Sequence, residues 1–157
     1  MRGDVLHSFK ILSPWDPVFK WLGLMLVALC IVGCSGVTPI AKKSRAISFE
    51  STTKTYGKLM RWGYFDEAAG YVRSKDGTAI EIDLDRIARY RVTSYKNTVV
   101  LLADEGSEGR VVAAIEYYEI DSGVLKTIRD EQMWWYDAES ERWFLGSGLP
   151  PIGVAGD

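Results

Sequence analysis

The chain has 157 residues, a formal net charge of −2 and 47% hydrophobic residues, 12% of all residues being aromatic. This size predicts one domain with an ordinary apolar core. The weakly acidic balance, without a strongly basic stripe, excludes the electrostatic footprint of a nucleic-acid-binding protein.

The first predicted element is an apolar run from Trp21 to Val32, followed by Gly33 and Cys34. Its 12 residues are fewer than the roughly 20 that span a bilayer, and they suit the apolar core of a secretory signal. The ending Ile31-Val32-Gly33-Cys34 resembles the bacterial lipobox. That resemblance implies that residues 1–33 are a removed signal peptide and that Cys34 is lipidated. The alternative is an ordinary thiol in a signal cut elsewhere.

Two further features concern the same leader. The residues before the apolar run are long for the charged start of a signal, so translation begins either at Met1 or near Val18. Ser35 follows the cysteine, where lipoproteins retained in the inner membrane carry Asp. The resemblance therefore implies a lipid-anchored, periplasm-facing protein of the outer membrane, given a Gram-negative source.

Residues 34–47 are predicted to be the lipidated cysteine and a short tether. The tether contains one basic cluster, made of Lys42, Lys43 and Arg45. These side chains either contact anionic lipid head groups, at about 1 kcal/mol per charge, or are simply solvated.

A helical pattern begins near Ser51 and ends at Gly63, with apolar residues recurring at three- and four-residue spacing. A second, short helix begins near Asp66. For residues 80–88 two alternatives stay open, a short alternating strand or a single helical turn capped by Asp83 or Asp85.

Four strands are predicted over residues 90–104, 110–120, 124–136 and 142–145, since these segments are rich in β-forming residues and short turns separate them. Short turns favour an antiparallel meander, and long strands must coil. We therefore expect an α+β fold with N-terminal helices packed on a coiled antiparallel sheet over residues 48–146. Residues 147–157 are predicted to be a C-terminal tail.

Three segments carry a second resemblance, namely Leu59 to Ala69, Gln132 to Tyr136 and Arg142 to Leu145. They resemble the nuclear transport factor 2-like superfamily, which also includes ketosteroid isomerases and polyketide cyclases of the SnoaL type. The likeness implies a cone-shaped fold of the cystatin or nuclear transport factor 2-like kind. The chain also resembles uncharacterised proteobacterial lipoproteins, a group that implies no activity.

The third predicted strand holds the candidate pocket. Asp130, Gln132, Trp134 and Tyr136 alternate onto one of its faces. Either Asp130 and Gln132 are the polar groups of a pocket walled by Trp134, or Trp134 is core and the two polar residues lie at a solvated strand end. An isomerase of the resembled superfamily needs an Asp base, and Asp130 is the candidate.

The opposite face of the same strand carries Met133 and Trp135. Because only one face meets the helices, this face contacts water, a partner protein or a second copy. The alternative is that sheet coiling, or a tail folded back through Leu149 and Ile152, covers it.

The only histidine is His7, in the leader, so histidine-dependent catalysis and the usual zinc sites are not expected. No catalytic residue, metal or cofactor is predicted. The leading hypothesis is a lipid-anchored, non-enzymatic interaction module that binds an envelope protein or its own copy. The alternative is a pocket for a small apolar ligand, with binding or weak isomerase-type acid/base chemistry.

Overall fold

The computed structural model describes residues 38–154. They form the helices α1 (Pro39–Trp62), α2 (Phe65–Ala69) and α3 (Leu84–Ile87), and then the strands β1 (Tyr90–Leu102), β2 (Glu108–Glu119), β3 (Leu125–Asp137) and β4 (Arg142–Leu145). The strands make one antiparallel sheet in the order β1-β2-β3-β4. The predicted α+β class and the predicted meander are confirmed.

Helix α1 begins at Pro39, earlier than the predicted start near Ser51. The Thr38 hydroxyl accepts a hydrogen bond from the Ala41 backbone N–H at 3.3 Å, and a proline at the first helical position suits such a start. Residues 39–47, predicted as tether, are therefore the first turns of α1. Residues 39–47 show no helical pattern of apolar residues, because Phe49 is the first buried residue of the helix.

Helix α1 ends at the predicted position, since Gly63 caps it in a left-handed conformation with φ of 78°.

Across residues 38–154, no helix has both the length and the apolarity needed to cross a membrane.

The segment with two open alternatives forms a capped helical turn. The Asp83 carboxylate accepts a hydrogen bond from the Arg86 backbone N–H at 2.9 Å, which starts α3. The alternating residues before it, 78–83, form no strand.

The sheet turns one face, here called the inner face, toward α1. Cross-strand register places Val111 opposite Gln132 and Ala113 opposite Asp130, so the even-numbered residues of β3 point inward. The core between this face and α1 combines aliphatic side chains with large aromatic ones, of which Phe49, Tyr56, Tyr117, Trp134 and Trp143 are almost completely buried.

Strand β1 carries two β-bulges, one between Val92 and Ser94 and one between Asn97 and Val99. A bulge adds a residue and shifts the side-chain alternation by one position. As a result Tyr95, Asn97 and Val100 all lie opposite inward-facing residues of β2.

The predicted tail folds back onto the core as far as the structure describes it. Ile152 is fully buried, its carbonyl accepts a hydrogen bond from the Arg86 guanidinium, and Leu149 packs against the same core cluster. These contacts lie on the helix side of the sheet, so they do not cover Met133, which stays 54% exposed on the outer face.

Candidate functional site

A groove of about 700 Å³ runs between α1 and the inner face of β1. Apolar side chains line part of it, including Phe49, Val100 and Leu102, while Thr53, Tyr95 and Asn97 contribute polar atoms. This volume lies within the range of pockets that hold small organic ligands.

Gly57, which lines the groove, lets α1 approach β1 closely. A Cβ at Gly57 would lie 2.8 Å from two ring carbons of Tyr95, closer than real carbon contacts allow. The Tyr95 ring therefore packs directly against the backbone of α1, with its edge on the groove.

The helix side of the groove is cationic. Lys54, Lys58 and Arg61 line it, and Lys54 is neutralised by Glu50 at 2.6 Å. The Arg61 guanidinium donates to the Val92 carbonyl at 3.1 Å, a neutral partner. Within residues 38–154 Lys58 forms no ion pair, so Lys58 and Arg61 leave net positive charge beside the opening.

Behind the groove lies a buried polar chain centred on Gln132, which is 1% exposed. Its amide nitrogen donates to the Tyr95 hydroxyl oxygen and to the Asp130 carboxyl, both at 2.6 Å. The Trp134 indole N–H donates to the amide oxygen at 3.0 Å. Because an indole nitrogen only donates, Trp134 determines which end of the Gln132 amide faces Tyr95 and Asp130.

This orientation has consequences for both partners of the amide. The Tyr95 oxygen accepts from Gln132, so its own proton remains free to be donated elsewhere. Burial raises the pKa of Asp130, while the hydrogen bond from Gln132 works in the opposite direction. Burial likewise raises the pKa of Tyr95, which therefore stays a neutral donor.

Two buried polar atoms have no partner among the described residues, the Tyr56 hydroxyl and the Asn97 side-chain oxygen. Tyr56 packs edge-on against Tyr95 and Trp134, and its pKa is raised by burial and then by Tyr95 and Asp130. Asn97 lines the groove. An unpartnered buried oxygen costs free energy, and both of these oxygens carry that cost in the folded chain.

The raised pKa of Asp130 predicts a specific pH dependence of stability. The unfolded chain loses this proton near pH 3.9, whereas the folded chain holds it to higher pH, so the free energy of unfolding falls as pH rises through that interval. Asp130→Asn keeps an acceptor for Gln132 without the charge. We expect this variant to be more stable than wild type at pH 7, with the difference shrinking toward pH 4, in urea denaturation at several pH values.

Asp121→Asn is the matched control, because Asp121 is exposed in the β2–β3 turn. It should change stability by less than about 0.5 kcal/mol. A wild type more stable than Asp130→Asn at pH 7 would mean that the carboxylate is stabilised where it lies, contrary to this account.

The outer face of the sheet has a charged centre. Arg110 pairs with Glu131, and Glu131 pairs with Arg129 at 3.3 Å. The Trp135 indole N–H donates to the Arg73 carbonyl at 2.8 Å, and its ring lies 5.3 Å from that of Phe144. The aromatic residue predicted for an interface is thus engaged within the chain itself.

The four residues predicted for the pocket do not line the groove. Asp130, Gln132 and Trp134 share the inner face and one hydrogen-bonded chain, but none of them lines the groove. Trp134 is part of the core, and Asp130 and Gln132 are buried rather than solvated at a strand end. Tyr136 packs against the same core cluster, beside Trp143 and with the Arg45 guanidinium 4.6 Å from its ring centroid, but it is not part of the hydrogen-bonded chain.

Sequence reasoning missed the residues that do line the groove. The available signals were the cationic spacing of Lys54, Lys58 and Arg61 along one side of a helix, and the polar pair Tyr95 and Asn97 in a strand of β-formers. Neither signal identifies a groove until the packing of α1 on β1 is known.

Cys34 and the predicted signal lie outside the described residues. In the described part of the chain no three His, Cys, Asp or Glu side chains are grouped as metal ligands. No protein-family model, curated protein or solved structure matches the chain.

Proposed function

We propose that this chain is a lipid-anchored envelope protein whose domain binds a small apolar acid in the groove between α1 and β1. The single observation that carries the binding function is the groove itself, with apolar walls and uncompensated positive charge at Lys58 and Arg61.

The anchor and the cone-shaped fold are parts of the same proposal. The ending Ile31-Val32-Gly33-Cys34 supports lipidation, with the outer membrane as the location. Helices that precede a four-stranded antiparallel meander with a doubly bulged first strand support a fold of the nuclear transport factor 2-like kind.

The ligand chemistry follows from the lining. Phe49, Val100 and Leu102 favour an apolar body. The positive side favours a carboxylate or phosphate. An apolar acid therefore matches both the walls and the charge of the groove.

Binding is favoured over catalysis because of where Asp130 lies. A general base must come within hydrogen-bond reach of its substrate, and Tyr95 and Gln132 stand between Asp130 and the groove. A protein-interaction role through the outer face has less support, because a partner would have to desolvate the ion pairs of Glu131.

The test is displacement of a fluorescent apolar probe by palmitate and by its methyl ester. We expect palmitate to bind better, because the ester lacks the negative charge that Lys58 and Arg61 favour. Lys58→Glu should weaken the binding of palmitate about tenfold, since the charge reversal turns attraction into repulsion at short range.

Lys126→Glu is the matched control, with the same charge change on an exposed residue of β3, away from the groove. It should leave the affinity unchanged. Absence of saturable binding, or equal loss in both variants, would contradict the assignment of the groove.

A further inference from the structure

The outward side of the first turns of α1 carries exposed apolar residues. Ile40 is 83% exposed and Ile47 is 62% exposed, and their separation of seven residues places them on one side of the helix, two turns apart. Lys43 lies between them and is exposed. We call Ile40, Lys43 and Ile47 the outward stripe.

Charge in this part of α1 has one sign. Residues 39–49 include Lys42, Lys43 and Arg45 and contain no acidic residue. Arg45 turns inward over the Tyr136 ring, whereas Lys42 and Lys43 are exposed. A surface that combines exposed isoleucines with lysines complements an anionic lipid leaflet.

The early start of α1 shortens the link to the proposed anchor. Only residues 35–38 separate Cys34 from the helix. The five steps from Cys34 to Pro39 span at most about 17 Å when fully extended. If Cys34 carries lipid, the first turns of α1 must stay next to the leaflet.

We propose that the outward stripe lies on the membrane surface, with α1 roughly parallel to the leaflet so that Ile40 and Ile47 both enter the head-group boundary. This inference rests on the lipid anchor of the proposed function and adds an orientation. The hairpin turn between β1 and β2 lies beside the first turns of α1, since a Cβ placed at Gly106 would be 3.4 Å from the Lys42 side chain. The turn between β2 and β3 lies at the opposite end of the sheet and carries no part of the outward stripe.

The experiment uses the full-length lipidated protein in vesicles of phosphatidylglycerol and phosphatidylethanolamine. An environment-sensitive fluorophore is attached to Ile47→Cys or, as control, to Val124→Cys, which is 57% exposed in the β2–β3 turn. We expect lipids with a bilayer-embedded quencher to remove about half of the emission at position 47, because interfacial helices bury their apolar face about 5–10 Å deep. Emission at position 124 should not change.

The outcomes separate this inference from the proposed anchor. Protein that sediments with vesicles but shows no quenching at position 47 would overturn the orientation and leave the anchor intact. Protein that does not sediment would overturn both. Shielding at position 47 without lipid quenching, together with dimers in detergent, would assign the stripe to a second copy and overturn the inference.

Discussion

Trp134→Ala will lower the free energy of unfolding by about 4 kcal/mol, as expected when a buried tryptophan is cut to alanine. The indole is 1% exposed and stands edge-on to Tyr56, with ring centroids 5.4 Å apart. Its truncation leaves a cavity in the core and removes the hydrogen-bond donor to the Gln132 amide oxygen. Urea denaturation followed by circular dichroism measures the loss.

Two further variants make the result specific. Trp62→Ala removes the same side chain at a site that is 68% exposed, and should change stability by less than about 0.5 kcal/mol. Trp134→Phe retains an aromatic ring without the N–H, so its cost should fall between the other two. Equal losses from Trp134→Ala and Trp62→Ala would refute the central position of Trp134.

Gly109→Ala will destabilise the domain by about 2–3 kcal/mol through overpacking. A Cβ at position 109 would enter the space of the Phe49 ring, which lies flat over this glycine. The ring has little room to move, because it packs against Trp143 at a centroid distance of 4.6 Å and is itself 2% exposed.

A double-mutant cycle tests the cause. In a Phe49→Leu background the added methyl group should cost less than half as much, since the smaller side chain leaves space above β2. Gly146→Ala is the control, because a Cβ there would lie 3.5 Å from its nearest neighbours, an ordinary contact. If Gly109→Ala lowers the free energy of unfolding by the same amount in both backgrounds, the close approach of Phe49 is not the reason that glycine is required at position 109.

The strands were predictable because their signals are local. The fourth predicted strand, 142–145, coincides with β4, and the third, 124–136, differs from β3 by one residue at each end. Turn residues between β-rich segments define such boundaries without long-range information. The start of α1 was missed because its first turns bury nothing, so only the Thr38 cap and Pro39 mark it.

The candidate site was predictable only in part. Alternation along one strand places Asp130, Gln132 and Trp134 on one face. It cannot show that Gln132 reaches Tyr95, because that contact depends on the pairing of β1 with β2 and of β2 with β3 and on the bulges that turn Tyr95 inward. Tyr136 follows the same alternation and packs against the core beside Trp143, outside the hydrogen-bonded chain.

Local signals were enough to predict the α+β class and the four strands in order, since turn chemistry, β-propensity and helix stop signals act within a few residues. It also supplied the motif at Cys34, on which the proposed location depends. Three features depend on packing between distant segments: the groove between α1 and β1, the burial of Asp130 behind Gln132, and the outward position of Ile40 and Ile47. The burial of a side chain and its hydrogen-bond partners depend on segments far apart in the chain, so no local pattern predicts them.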